Sequence, residues 1–165
     1  MTEPSADRAA RLHALLLRRR QTVAVAESLT GGLVAAALTA TPGASATFRG
    51  GLVVYATDLK TSLAGVPEGL LARVGAVDPQ VALALANGVR SRLSASWGVG
   101  VTGVAGPEPQ DGRPVGTVFV AVVGPPEAGE TVSELELAGA RNSIRGQAVE
   151  HVVSLLLNVA EQQSI

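Results

Sequence analysis

Cysteine is absent from the 165 residues, which removes disulfide frameworks, thiolate metal sites and cysteine nucleophiles. Histidine occurs twice, at His13 and His151, too rarely for a histidine-rich metal site. Aromatic side chains make up 2% of the chain while hydrophobic residues make up 47%, so the core has to be built from Ala, Val and Leu, which suits helices lying close on a sheet. Charged residues are scarce, at 16%, and the net charge at pH 7 is -1, which gives no electrostatic footprint for DNA or RNA. No apolar run reaches the roughly 18 to 20 residues that a membrane span needs. Residues 1–10, polar and carrying Glu3, Asp7 and Arg8, do not resemble a signal peptide. These absences predict a single domain over residues 1–165, soluble and cytoplasmic, with no nucleic-acid or membrane partner. Lysine is nearly missing too: twelve arginines accompany one lysine, Lys60, which makes its position informative.

Ser5 caps a predicted first helix, residues 6 to about 20, with Ala9, Leu12, Leu15 and Leu16 on one face. Arg18, Arg19 and Arg20 fall at its negative end and are expected to be solvated there. An apolar strand over 22–26 leads into Glu27-Ser28-Leu29-Thr30-Gly31-Gly32 and a helix ending near Thr39, before the turn signal Pro42-Gly43. The small residues 44–51 read as a loop, followed by a strand over 52–56 and a short helix containing Lys60, capped by Thr57 or Asp58. Another turn of helix is expected over 67–73, and Asp78-Pro79 starts a helix to about Leu93. Strands follow over 97–102 and 115–123, separated by a surface loop, 108–114. Leu135 and Leu137 alternate with Glu134 and Glu136 as in an edge strand, and a last helix spans about 142–162. Interleaved helices and apolar strands predict a three-layer α/β/α sandwich with a mixed sheet of about five or six strands.

Ligands of such sheets gather at the carboxyl ends of strands, where three polar turns are predicted to converge: 27–32, 55–60 and 102–107. Taken alone, the first turn is equally compatible with Thr30 as an N-cap beside glycines that permit tight packing. If the turns converge, Ser28, Tyr55, Lys60 and Thr102 share a cleft. A serine hydroxyl needs a base, and no histidine lies in any of the three turns. A lysine near a helix N-terminus, its charge disfavoured, can take that part, with Tyr55 as a proton relay. Neither a dinucleotide G-x-G-x-x-G after a strand nor a P-loop Gly-Lys-Ser/Thr is present.

Ala26-Glu27-Ser28-Leu29-Thr30-Gly31-Gly32, Pro42-Gly43-Ala44-Ser45 with Phe48-Arg49-Gly50-Gly51, Tyr55 followed by Lys60, and Thr102-Gly103-Val104-Ala105-Gly106-Pro107 with Pro114-Val115-Gly116-Thr117-Val118 occur in this order. This combination closely resembles the CinA carboxy-terminal domain family, the nicotinamide mononucleotide deamidases. The resemblance implies hydrolysis of the carboxamide of nicotinamide mononucleotide to nicotinate mononucleotide and ammonia in pyridine-nucleotide salvage, without metal or cofactor, by a homodimer. It implies Ser28 as nucleophile, Lys60 as general base and Tyr55 as relay or positioning group, with Ser45, Thr102 and Gly103 lining the pocket. It implies a phosphate contact from Arg141 or Arg145. Backbone N–H groups of Thr30, Gly31 or Gly32 would then serve the oxyanion and admit the substrate closely. Two residues depart from the family's usual pattern: Leu29 stands where Cys is frequent, and Thr57 where Tyr-Ser-Asn places an amide. The second departure motivates an alternative, a nucleotide-binding regulatory or interaction module without turnover. Relatives often carry an amino-terminal nucleotide pyrophosphatase domain, and that activity is not expected of these 165 residues.

Overall fold

The computed structural model describes residues 3–163. Its elements, in order, are α1 (Ser5–Arg19), β1 (Val23–Glu27), α2 (Leu33–Thr39), a 3-10 turn (Ala44–Ala46), β2 (Phe48–Val53), α3 (Thr57–Ser62), α4 (Glu68–Val74), α5 (Pro79–Arg92), β3 (Trp97–Gly103), β4 (Thr117–Val123), β5 (Glu130–Glu136) and α6 (Arg141–Glu161). The five strands form one open sheet in the order β2-β1-β3-β4-β5. β2, β1 and β3 run parallel, whereas β4 and β5 are antiparallel additions. Helices α1, α2 and α6 cover one face and α3, α4 and α5 the other, giving the expected three layers with a mixed sheet. Among the described residues no helix is long and apolar enough to cross a membrane.

The two faces of the sheet differ in side-chain size, and that difference sets the layer spacing. Val23 and Val25 of β1, with Trp97, Val99 and Val101 of β3, point toward α1 and α6. Their neighbours along each strand, Ala24, Ala26, Gly98 and Gly100, face α5, as the two-residue period of a strand requires. A Cβ at Gly98 would stand 2.1 Å from the Ala86 carbonyl oxygen, and one at Gly100 would stand 2.1 Å from that of Ala82. The backbone of α5 thus lies directly on β3. At its start, Asp78 caps the helix by accepting from Gln80 N at 2.8 Å, with Pro79 at the first position as expected. This fixed helix end places residues 75–78 beside the carboxyl end of β3.

Several local expectations are corrected. Residues 48–51 belong to β2 instead of a loop: Gly50 pairs with Ala24 and Gly51 with Val25. Two glycines weaken a strand signal, yet a Cβ on Gly51 would come within 3.0 Å of Val25 Cγ2. Glycine is what lets this edge strand close on its neighbour. β2 correspondingly ends at Val53, and Tyr55 and Ala56 leave the sheet. Pro4, not Ser5, occupies the N-cap of α1, and Ala56, not Thr57 or Asp58, that of α3. Arg19 is half-buried instead of solvated: its guanidinium donates to the Ala160 and Gln163 carbonyls at 2.6 and 2.9 Å, closing the end of α6.

Candidate active site

β1 leads into the first candidate side chain, Ser28. The strand is buried at all five positions and ends on Glu27, whose side chain turns back under α2. Its carboxylate accepts from Val34 N at 2.8 Å and Ala35 N at 3.1 Å. The free N–H groups and positive end of this helix are therefore satisfied from within the chain. Gly32, at φ 103°, is the N-cap. Thr30 is not; its hydroxyl is fully buried and has no partner among the described residues. Gly31 N donates to the Ser28 carbonyl at 3.0 Å. The glycine turn thus holds the Ser28 backbone, while Arg145 clamps the next carbonyls, donating through Nε to Leu29 O at 2.9 Å and through Nη2 to Thr30 O at 3.5 Å.

Lys60, on the six-residue α3, brings its ammonium 3.1 Å from Ser28 Oγ, across 32 residues of sequence. The side chain is 1% exposed, and its other contacts are the carbonyl oxygens of Val54 at 2.8 Å and Tyr55 at 3.3 Å. Burial lowers the Lys60 pKa from its ordinary value, and the charge of Asp111 opposes that shift. The expected helix-dipole contribution is not what acts here, because Lys60 already lies in the last turn of α3. A neutral amine has two N–H donors and one lone pair. As an ammonium, Lys60 donates to both carbonyls and to Ser28 Oγ; once deprotonated it keeps two donors for the carbonyls and turns its lone pair to the Ser28 hydroxyl.

Ser28 opens into a cavity of about 90 Å³ walled by Leu29, Tyr55, residues 103–106, Glu108, Gln110 and Arg141. Arg141, the first residue of α6, donates to the Gly106 carbonyl and, at 2.7 Å, to the Tyr55 hydroxyl. The Tyr55 phenol is consequently engaged with Arg141, and Lys60 reaches Ser28 without a relay. Gly103 lines the cavity, but Thr102 does not: it is 1% exposed and its hydroxyl donates to Ala76 O at 2.6 Å. Thr30, Gly31 and Gly32 are not part of the cavity wall, and Arg145 is spent on the backbone. Ser45 sits on the exposed 3-10 turn, in a separate depression with Pro42 and Phe48. Thr57 faces a groove between α3 and α4, away from the cavity. Among the described residues no three His, Asp or Glu side chains gather to hold a metal ion.

The family model of the CinA C-terminal domain matches residues 5–160. The chain belongs to the CinA C-terminal domain family. A CinA-like protein from Frankia casuarinae is 53% identical over 142 residues, covering 86% of this chain and 32% of that protein. One from Gloeobacter violaceus is 48% identical over 144 residues, covering 87% and 34%. The chain spans about a third of the length of these curated relatives. Among solved structures, the competence/damage inducible protein CihA from Agrobacterium tumefaciens superposes with a TM-score of 0.89 at 34% identity, covering 96% of this chain and 99% of that one. A CinA superfamily protein from Klebsiella pneumoniae gives 0.91 at 26% identity, covering 98% and 100%.

Within this CinA domain, three residues with clear structural parts carried no signal of them in the sequence. Glu27 was visible only as one member of a polar turn, because a carboxylate that caps a helix seven residues later matches no standard capping spacing. Glu108 and Gln110 lie in a loop without period. That loop is placed by tertiary contacts: Asp111 accepts from Ala76 N at 2.9 Å, and Arg113 meets Asp78 at 3.4 Å and stacks over the Phe119 ring.

Proposed function

We propose that this CinA domain hydrolyses the carboxamide of nicotinamide mononucleotide to nicotinate mononucleotide and ammonia, with Ser28 as nucleophile and Lys60 as its base. The observation that carries the reading is the buried Lys60 amine, held by two carbonyls with Ser28 Oγ at 3.1 Å. Neutral Lys60 accepts the hydroxyl proton as Ser28 Oγ attacks the amide carbon. The resulting ammonium then returns a proton to the departing nitrogen, and ammonia leaves an acyl-serine that water hydrolyses by the same base. The oxyanion donor shifts from the glycine turn to the Leu29 N–H, next to the nucleophile on the cavity wall, with the Leu29 carbonyl fixed by Arg145. Arg141 receives the phosphate, since its guanidinium lines the cavity while that of Arg145 is committed. Tyr55 positions Arg141.

A cavity of about 90 Å³ is far below the roughly 300–1,000 Å³ of a pocket that encloses a whole ligand, so it accepts the carboxamide end of the substrate and leaves ribose and phosphate at its mouth. The homodimer and the cytoplasmic location implied by the resemblance belong to the same reading and are checked by solution mass and fractionation. The deciding experiment is an ammonia-coupled assay on nicotinamide mononucleotide without added metal. Release is expected from the unaltered protein and is lost in Ser28→Ala, whose fold is retained because Lys60 keeps both carbonyl partners. Nucleotide binding with no ammonia from the unaltered protein would instead favour the binding module.

A further inference from the structure

We propose that the cavity selects a zwitterionic ligand, placing an anionic group on Arg141 and a cationic ring against the Glu108 carboxylate. The proposal rests on the hydrolytic reading above for the identity of its probe, but its argument is the charge arrangement of the wall itself. Two opposite full charges line one small cavity. Among the described residues they form no ion pair with each other: Arg141 is turned to the Gly106 carbonyl and the Tyr55 hydroxyl, and Glu108 has neither an ion pair nor a hydrogen bond. Arg141 is pinned at the start of α6, and Glu108 is carried by a loop anchored through Asp111 and Arg113 to the turn before α5.

Opposite charges kept from collapsing onto one another offer two complementary subsites. A ligand that brings only an anion leaves Glu108 uncompensated beside it, and one that brings only a cation meets Arg141. A nucleotide whose N-substituted pyridine ring is cationic, and whose phosphate is anionic, satisfies both. Its ring enters with the reacting carboxamide, beside Ser28 and within the same walls as Glu108. The site would accordingly distinguish the oxidised pyridinium nucleotide from its 1,4-dihydro form, which keeps phosphate, ribose and carboxamide but has a neutral ring.

The test is calorimetric titration of the full chain bearing Ser28→Ala, with and without Glu108→Gln, using oxidised and 1,4-dihydro nicotinamide mononucleotide. Glu108→Gln keeps size and hydrogen bonding and removes the charge at an exposed position, so the fold is not at risk. The expected result is a Kd for the oxidised form raised tenfold or more by Glu108→Gln, and a Kd for the dihydro form changed by less than twofold. Equal weakening of both forms, as from a lost contact to the ribose hydroxyls, or no change in either, would overturn the proposal. Ammonia release by the unaltered protein is measured in parallel. Charge-selective binding without ammonia would sink the hydrolytic reading alone, whereas ammonia release with no Glu108-dependent selectivity would sink this proposal alone.

Discussion

Replacing Lys60 by methionine tests the central physical statement, that this amine is buried at a cost to its charge. Methionine fills a similar volume and removes the titrating group. Because the folded pKa of Lys60 lies below its ordinary value, the unfolded chain holds the proton more tightly than the folded one. At pH below the folded pKa both states are charged, and the full cost of burial is present. Between the folded pKa and the unfolded value near 10.5, only the unfolded state keeps the proton, so stability rises with pH. Above that value the cost is gone. The limiting slope is about 1.4 kcal/mol per pH unit for one proton. For urea slopes of about 1–3 kcal/mol/M, the midpoint of the unaltered protein should gain roughly 0.5–1.4 M per pH unit on that of Lys60→Met inside this window. The comparison cancels every other titrating group that the two proteins share. Urea melts of both proteins from pH 6 to 10, followed by circular dichroism, provide the measurement. Midpoints that move in parallel throughout would show that folding does not penalise the Lys60 charge, and the account of a neutral base would fall with it. On the proposed reading, log kcat/KM for ammonia release by the unaltered protein should rise with unit slope toward the same folded pKa as Lys60 loses its proton.

Glu27→Ala should destabilise the domain by about 3 kcal/mol or more, since two hydrogen bonds to a buried carboxylate are lost and each is worth roughly 1.5–3 kcal/mol. Glu27→Gln, retaining one acceptor, should lose about half of that in the same urea melts. Gly100→Ala would drive a Cβ into the Ala82 carbonyl, which stands 2.1 Å from its place, and should cost more than about 3 kcal/mol or prevent folding; a stable variant with unaltered amide exchange in α5 would contradict the close approach. Arg141→Ala should raise KM for the phosphate-bearing substrate by about 10- to 150-fold, the loss of one charge-assisted contact. Arg145→Ala should act mainly on kcat, because its guanidinium holds the Leu29 and Thr30 carbonyls.

Much of this molecule is written in short-range pattern. Asp78-Pro79 announced α5 through a cap whose bond is present at 2.8 Å. The spacing of Ala9, Leu12, Leu15 and Leu16 marked the buried face of α1. The apolar run before Ser28 marked a central strand, and Leu135 among glutamates marked the edge strand β5, whose burial alternates along its length. These features are local because a backbone conformation and its caps are chosen over a few residues. Gly50 and Gly51 misled for the same reason: local propensity disfavours them in a strand, whereas the pairing with β1 and the nearness of Val25 require them.

What the chain by itself determined was the strand-turn-helix around Ser28, the layered α/β plan and a single lysine on the short helix that follows a strand. Only tertiary structure decided that Lys60 meets Ser28, that Glu27 closes α2 from beneath, that Arg141 faces the cavity while Arg145 faces the backbone, and that an aperiodic loop brings Glu108 to the wall. The physical reason is the range of the forces involved. Dihedral preference and hydrophobic period act between near neighbours along the chain, but the protonation of a buried amine depends on which distant segments exclude water from it.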